Sequence, residues 1–381
     1  MSESSLHADA WDSIRQASRI VVKVGTSRLA ATEGDVRRVI RSSVENVARE
    51  ISMLWNSSSK PRQVILVTSG AVGAGMGVLG LEKRPGSLPE LQATAAVGQG
   101  LLMSWYMGTF EEQRLKAAQI LVTRDDFRDR KRYHNVEATL ETLLRKKVVP
   151  IINENDTVSV EEMRVGDNDI LSALVATLIK ADLLIVASNV DHLRETGGDS
   201  TRFITRITPE MEKAALGSED ELSTGGMKTK LQAAKLVMKS GIPLLLIDRT
   251  DLLSALASPS PVGTLFFSAG RLKGFRKTRK RGLMFTAKAK GILFVDEGAK
   301  EALVNRGKSL LASGVRRVHG SFKGGDLVSV QDHAGHEVAR GRVNYSDAEL
   351  KKIRGLKSGE ISVLLGREAK EVIHRDSLML S

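Results

Sequence analysis

Two acidic-amide clusters, Asn153-Glu154-Asn155-Asp156 and Asp167-Asn168-Asp169, stand eleven residues apart in this chain. The first follows a short apolar run at 148–152, and the second opens an apolar stretch, 169–179, that reads as a helix. Both therefore belong at the rim of a buried sheet, and in open α/β sheets the rim at the carboxyl ends of the strands is where ligands bind. Amides and carboxylates there suit a small polar molecule carrying an ammonium and hydroxyl or carboxyl groups. A plainer duty competes, because Asn and Asp are favoured in turns and at helix N-caps, so Asp169 could simply cap its helix. Two such clusters at consecutive boundaries, with six Asn or Asp between them, favour a site.

Lysines extend the pattern. Lys23 lies inside the apolar run 20–24, directly before Gly25-Thr26-Ser27. Burying a lysine in a central strand is expensive unless it is paired, so it points to an edge or meets an anion at the strand end. The glycine and hydroxyls that follow favour the anion, because backbone N–H groups in such a turn cradle phosphate. Thr68-Ser69-Gly70 ends a second apolar run and leads into a glycine-rich helix start, where free N–H groups and the helix dipole attract negative charge. The stretch Gly75-Met76-Gly77-Val78-Leu79-Gly80 matches GxGxxG only formally, since it begins well past the strand end. Helix packing accounts for some of these glycines, and only Ser69-Gly70 sits where a ligand belongs.

Thr224-Gly225-Gly226-Met227-Lys228-Thr229-Lys230 opens a further helix. Lysines in a first turn oppose the macrodipole, which prefers anions there by roughly 0.3–1 kcal/mol. Their presence makes sense if they answer a bound phosphate; a flexible loop with solvated lysines is the alternative. The Gly-Lys-Ser/Thr order of a Walker A loop is absent. Two lysine-bearing phosphate loops, one hydroxyl-glycine turn and two amide-carboxylate clusters together describe phosphoryl transfer to a small polar acceptor. Catalysis of that kind is positioning plus neutralisation of charge. Lysines suit the second task as point charges, and Mg2+ arriving with the nucleotide needs few protein carboxylates.

The elements that must position these residues follow from periodicity. Apolar runs at 20–24, 64–68, 118–122, 148–152, 183–187 and 243–247 read as strands covered on both faces. Helical stretches at 35–54, 91–113, 136–145, 169–179 and 228–239 lie between them. Strand-helix alternation implies a mainly parallel sheet between helix layers. Beyond the prolines at 259 and 261 and the basic run 276–281, the pattern changes to short strands with frequent glycines, at 291–295, 315–319, 327–331, 337–342 and 361–365, with a helix at 298–305. The expected division is 1–268, a basic linker 269–281, and a small β-rich unit 282–381.

Composition narrows the function classes. The 381 residues suggest about two domains. No run approaches the roughly 18 apolar residues that span a bilayer, and residues 1–18 show no signal peptide, so a cytoplasmic chain without a membrane partner is expected. There is no cysteine, and the seven histidines are scattered. That excludes disulfides, thiolate zinc and a cysteine nucleophile, and no protein metal site is expected. Residues 1–269 hold 33 Lys and Arg against 33 Asp and Glu, whereas residues 270–381 hold 24 against 12. The whole surplus of +12 therefore belongs to the second part, which argues for two units with different partners.

The motifs VVKVGTS, LVTSGAVGAG, QATAAVGQG, RDRKRYHN, VPIINENDTV, VGDNDILSALVA, TGGMKTKLQAA and VGTLF, spread over nearly the entire chain, resemble the amino acid kinase family. Within it they are similar to the branch that phosphorylates the side-chain carboxylate of L-glutamate, opening proline synthesis. The stretch from about residue 282 resembles a PUA module. The resemblance implies a three-layer αβα sandwich around a mainly parallel sheet, followed by a small β-rich PUA-like barrel. It further implies ATP with Mg2+, bound mainly through the nucleotide phosphates, and L-glutamate as acceptor. By motif, Lys23 and Lys230 would stabilise the transferring phosphoryl group and Asp169 would organise them, which makes these three the catalytic set. Ser69, Gly70, Asn153, Asp156 and Asn168 would bind glutamate. Lys23, Ser188, Asn189 and the run Thr224, Gly225, Gly226, Met227, Lys228, Thr229 and Lys230 would contact ATP. No general base is needed, since a carboxylate is already ionised at neutral pH.

Proline as feedback inhibitor, a homo-oligomer and a glutamyl phosphate reductase that takes the labile product are further implications of the resemblance. One departure stands out. Where the family has Thr-Asp and then Gly-Leu-Tyr after the fifth of the strand runs listed above, this chain has Ser188-Asn189 and His192-Leu193-Arg194, so its nucleotide contacts are expected to differ. Two other readings compete. One is a kinase for another acidic amino acid. The other is an RNA-binding regulator acting through the basic second part, against which stands its shortage of aromatics to stack on bases.

Overall fold

The structure is a computed structural model that describes residues 3–33, 36–57, 62–158, 167–188, 193–194, 200–201, 203–215, 226–248, 252–258, 262–268, 289–304 and 306–380. The chain divides into two compact units, Met1–Arg276 and Lys277–Ser381. The stretch expected as a linker, 269–281, lies outside the described residues.

In chain order the first unit runs α1 (Glu3–Arg15), β1 (Arg19–Val24), α2 (Thr26–Leu29), β2 (Ala30–Glu33), β3 (Val36–Val39), α3 (Arg41–Trp55), β4 (Gln63–Val67), α4 (Ala71–Leu79), α5 (Leu88–Glu112) and β5 (Lys116–Val122). It continues with α6 (Arg124–Arg128), α7 (Arg130–Arg145), β6 (Val148–Glu154), α8 (Asp167–Leu178), β7 (Leu183–Ala187), β8 (Leu193–Arg194), β9 (Ser200–Thr201) and β10 (Phe203–Ile204). It closes with α9 (Pro209–Ala214), α10 (Met227–Lys239), β11 (Leu244–Ile247), α11 (Leu252–Ala257) and β12 (Thr264–Phe266).

Eight strands form one sheet in the order β10-β12-β11-β7-β1-β4-β6-β5. Every neighbouring pair is parallel except β11 with β12. The β-branched run of β1 explains its place at the centre: Ile20, Val21, Val22 and Val24 are fully buried, which only a strand covered on both faces permits. Its alternate side chains Ile20, Val22 and Val24 join a core with Trp11, Val44, Ile51, Tyr106, Phe110 and Leu252, drawn from α1, α3, α5 and α11. The opposite face carries α7, α8 and α10. This is the three-layer αβα sandwich. Because β1 pairs with β4 on one side and β7 on the other, the chain leaves it in both directions. That reversal opens a crevice at the carboxyl ends of the strands, where a ligand fits.

Residues 35–54 do not form the single helix expected of them. Val36–Val39 pairs antiparallel with Ala30–Glu33 as a hairpin, and the helix begins only at Arg41. The run Val36-Arg37-Arg38-Val39 is only four residues long and its apolar residues stand three apart, a spacing that a helix shares, so the sequence pattern did not mark the strand. Val39 is buried, and a methyl of its side chain lies against Gly70.

The second unit holds one five-stranded sheet, ordered β14-β13-β15-β16-β17, in which β13 (Gly291–Val295) and β15 (Leu327–Gln331) are parallel and the other pairs antiparallel. β14 is Val315–Gly320, β16 Glu337–Arg342 and β17 Leu378–Leu380. Its own core gathers Leu293, Val328, Val330, Ala339, Tyr345 and Ile373. The strand expected at 361–365 is a helix, Ser358–Leu365. Glu360 accepts a hydrogen bond from the Lys357 amide at 2.7 Å to start it, and Gly366 ends it at a φ of 63°. Val363 is 86% exposed there, and Ile361 is the buried residue of the run, which leaves no alternating buried face for a strand.

Candidate active site

Asp169 sits in the first turn of α8, fully buried, and its carboxylate gathers cations from both sides of the crevice. Lys23 Nζ, from the end of β1, lies 2.6 Å from Oδ1. Lys230 Nζ, from the first turn of α10, lies 3.6 Å from Oδ2, and the Thr229 hydroxyl donates to the same oxygen at 2.8 Å. Both lysines are at least nine-tenths buried. Burial alone would push the Asp169 carboxyl upward; Lys23 and Lys230 outweigh it and hold the group below the usual carboxylate range. For Lys230 burial dominates, and the ammonium is lowered despite Asp169, with Lys23 adding to the fall. Asp169 is thus no N-cap: it lies inside the helix and points at the lysines.

Each lysine has a sequence reason to be there. Lys23 continues the alternation of β1 onto the α8 face, and a Cβ added at Gly25 would come within 3.0 Å of its Nζ, so the bare backbone leaves the ammonium room. Lys230 lies on the buried side of α10, whereas Lys228 is exposed. Gly226 and Met227 open that helix with no side-chain cap, which leaves N–H groups free at the dipole's positive end.

Asn168, the neighbour of Asp169, faces the other way. Its Nδ2 donates to the Thr68 carbonyl at 2.9 Å, to Ser69 Oγ at 2.7 Å and to Asn153 Oδ1 at 3.1 Å. Asn153, buried at the end of β6, donates in turn to Gln99 Oε1 at 2.8 Å. Gly70 begins α4 at a φ of 104°, a conformation that asks for glycine. Behind the turn, the Thr68 hydroxyl and the Tyr106 phenol are 2.9 Å apart, and burial raises that phenol well above its ordinary range. Two buried amide atoms here have no hydrogen-bond partner, Asn168 Oδ1 and Gln99 Nε2. One accepts and the other donates, the pair of groups that an ammonium and a carboxylate would satisfy.

The structure therefore brings together Lys23, Lys230, Asp169, Ser69, Gly70, Asn153 and Asn168, with Asp156 partly buried in the turn after β6. Ser188 is buried at the end of β7, and Gly226, Met227, Lys228 and Thr229 open α10. Asn189, His192, Thr224 and Gly225 lie outside the described residues, and of Leu193 and Arg194 only the backbone is described. Gln99 escaped the sequence reading. Its signal was a lone amide between two glycines, Gly98 and Gly100, on a helix otherwise rich in apolar residues. Replacing Gln99 by leucine, or Asn168 by alanine, should raise the acceptor's KM on the order of tenfold or more with a smaller change in kcat. Steady-state kinetics at saturating nucleotide would read this, and an unchanged KM in both variants counts against the assignment.

Known proteins resemble this chain in sequence. A family profile described as the amino acid kinase family matches residues 18–248, and one described as the PUA domain matches 291–365. The chain is similar to a glutamate 5-kinase of Caldanaerobacter subterraneus subsp. tengcongensis, 46% identical over 371 residues that cover 95% of this chain and 97% of the relative. It is likewise similar to a glutamate 5-kinase of Moorella thermoacetica, 46% identical over 376 residues that cover 96% and 97%. A carbamate kinase of Giardia lamblia bound to AMP-PNP is a more distant structural neighbour, with a TM-score of 0.46 and 18% identity over 67% of this chain and 99% of that one.

Proposed function

Since this chain belongs to the amino acid kinase family, we propose that it transfers the γ-phosphoryl group of ATP to the side-chain carboxylate of L-glutamate, giving ADP and L-glutamyl 5-phosphate at the start of proline synthesis. The observation that carries the reading is the opposed orientation of two consecutive residues. Asn168 faces a cluster of amides and a hydroxyl, Asp169 faces two lysines, and the turn that holds both joins an acceptor half to a phosphoryl half.

ATP supplies the phosphoryl group, and Mg2+, when bound, would be held mainly through the nucleotide phosphates and would neutralise part of their charge. Asn153, Asn168, Ser69 and Gln99 hold glutamate, with Asn168 Oδ1 toward its ammonium and Gln99 Nε2 toward a carboxylate. Gly70 and Asp156 complete that wall. The open N-termini of α4 and α10 and the run Thr224–Lys230 receive phosphate oxygens, and Ser188 and Asn189 lie on the nucleotide side. A γ-carboxylate oxygen forms the new bond to phosphorus as the bridging bond to the β-phosphate breaks. Lys23 and Lys230 stand against the charge that spreads over the moving group. Asp169 acts through them as a positioning residue. Inhibition by proline, a homo-oligomer and a reductase that consumes the labile acyl phosphate belong to the same proposal.

Trapping with hydroxylamine tests it: the purified chain should form γ-glutamyl hydroxamate only with ATP, Mg2+ and L-glutamate together. Activity with aspartate or N-acetylglutamate and none with glutamate would sink the reading. A pH effect follows from Lys230, which must be cationic to work. Its lowered ammonium should make kcat/KM fall on the alkaline side below the ordinary lysine value of 10.5. Lys230→Arg keeps its charge to beyond pH ~12, so this slower variant should lose that limb. Identical alkaline limbs in the two enzymes would assign the fall to another group.

A further inference from the structure

Asp248 follows β11 at the carboxyl edge of the sheet, next to the end of β7. Ile247 pairs with Ala187, and the Ser188 amide donates to the Ile247 carbonyl at 2.9 Å, so Asp248 and Ser188 are the next residues outward on neighbouring strands. Lys23 pairs with Val186 and Leu246 also pairs with Val186, which sets Lys23, Val186 and Leu246 in one row across three strands. Two residues further on, the same alternation sets Gly25, Ser188 and Asp248 in the next row on that face. Asp248 is then two strand spacings, roughly 10 Å, from the phosphate end of the crevice.

Asp248 is partly buried, and its Oδ1 is shut off from solvent without a hydrogen-bond partner. A carboxylate accepts and does not donate, so whatever satisfies it must bring an N–H or O–H. Phosphate oxygens cannot, and the lysines already draw them to the β1 end. The first donors beyond the phosphates of a nucleoside triphosphate are its ribose hydroxyls. A carboxylate at a strand end that accepts from a ribose hydroxyl is also how dinucleotide-binding sheets hold that sugar. At the end of β7 the sequence offers a hydroxyl and an amide, Ser188 and Asn189, but no charge.

We propose that Asp248 accepts a hydrogen bond from a ribose hydroxyl of the nucleotide and so makes this site select ribonucleoside over deoxyribonucleoside triphosphates. The proposal rests on the kinase reading above. Titration calorimetry on the full chain, with Mg2+ and without glutamate, tests it through ATP, 2′-deoxyATP, 3′-deoxyATP and inosine triphosphate. Wild type should bind ATP on the order of tenfold or more tightly than at least one deoxy analogue. Asp248→Ala should lose that preference by weakening ATP alone, while Asp248→Asn, which keeps an acceptor oxygen, retains part of it. Equal affinities of wild type for ATP and both deoxy analogues would overturn the proposal and leave the kinase reading standing. So would an Asp248→Ala variant that keeps the preference, or one that loses only the distinction between ATP and inosine triphosphate, which places the contact at the base. No binding of ATP by wild type would overturn both. If Asp248→Ala does not fold, the wild-type comparison of ATP with its deoxy analogues still decides.

Discussion

An Asp169→Asn enzyme should remain folded at 25 °C and turn over on the order of a thousandfold more slowly than wild type. The size of the loss follows from what the carboxylate holds. With its charge gone, Lys23 and Lys230 face each other without a counter-ion, and two point charges that must meet the moving phosphoryl group lose their fixed positions. Removing one preorganised donor from a transition state typically slows a reaction 10²–10³-fold, and here two are released. Breaking a buried ion pair ordinarily costs about 3–5 kcal/mol. The cost should be lower here, because burial already lowers the Lys230 ammonium and removing the Asp169 charge lowers it further, which favours loss of its proton. The pH dependence of stability gives a second readout. Asp169 is held below its ordinary value, so its contribution is complete above pH ~4 and disappears as pH falls through the lower folded value. Wild type should lose its margin over Asp169→Asn on acidification in that window. A folded variant with wild-type kcat would leave Asp169 with a purely structural part.

Gly98→Ala should be among the most damaging single methyl additions to the first unit. A Cβ at Gly98 would stand 1.8 Å from the Ala71 carbonyl oxygen and 2.2 Å from the Gly75 amide nitrogen, and one at Gly75 would stand 1.9 Å from the Thr94 carbonyl oxygen. The obstructing atoms are backbone, so no side-chain rotation relieves the clash, and α4 and α5 must part. Overpacking costs about 1–3 kcal/mol where neighbours can yield, and a contact that cannot yield belongs at or above the top of that range. A loss of ~3 kcal/mol lowers the melting temperature of a unit this size by roughly 6–12 °C. Because Ser69-Gly70 and Gln99 ride on these two helices, the KM for glutamate should rise with it. Gly108→Ala on the same helix supplies the control. Its Cβ meets nothing within 4 Å, and the change should stabilise by about 0.5–1 kcal/mol. Equal melting temperatures for the two variants would refute the packing argument.

Much of this was legible because β1, β4, β6, β7 and β11 are buried on both faces, so that their apolar runs stand out without ambiguity, whereas β5 at the sheet edge is half-exposed. The six major strand runs were placed to within two residues at either end, as were the starts of α8 and α10, and those ends carry Lys23, Asn153, Asp169 and Lys230. Errors arose where burial is one-sided. Residues 36–39 form one strand of a separate hairpin, too short to carry a period and with apolar residues three apart as in a helical turn, and 361–365 form a helix with one buried residue, Ile361, on an apolar run. For the site, residue type with position at a strand end, for Lys23 and Asn153, or at a helix start, for Asn168 and Lys230, singled out side chains that the structure gathers around one crevice. Gln99 was invisible because its partner Asn153 lies 54 residues away, and the helix between them carries no period that marks a ligand-facing position.

Two lysines and one aspartate leave the buried cluster one positive charge over. In a protein interior such an excess is costly to keep, and any polyanion that enters relieves it. Occupancy and rigidity are therefore linked: phosphate-bearing molecules should raise the melting temperature of the first unit with the logarithm of their affinity, with or without an acceptor amino acid. The same attraction works against the enzyme at the end of its cycle. ADP leaves against the pull that drew ATP in, so its escape is the natural candidate for the slowest step, and added salt should hasten it while weakening the start.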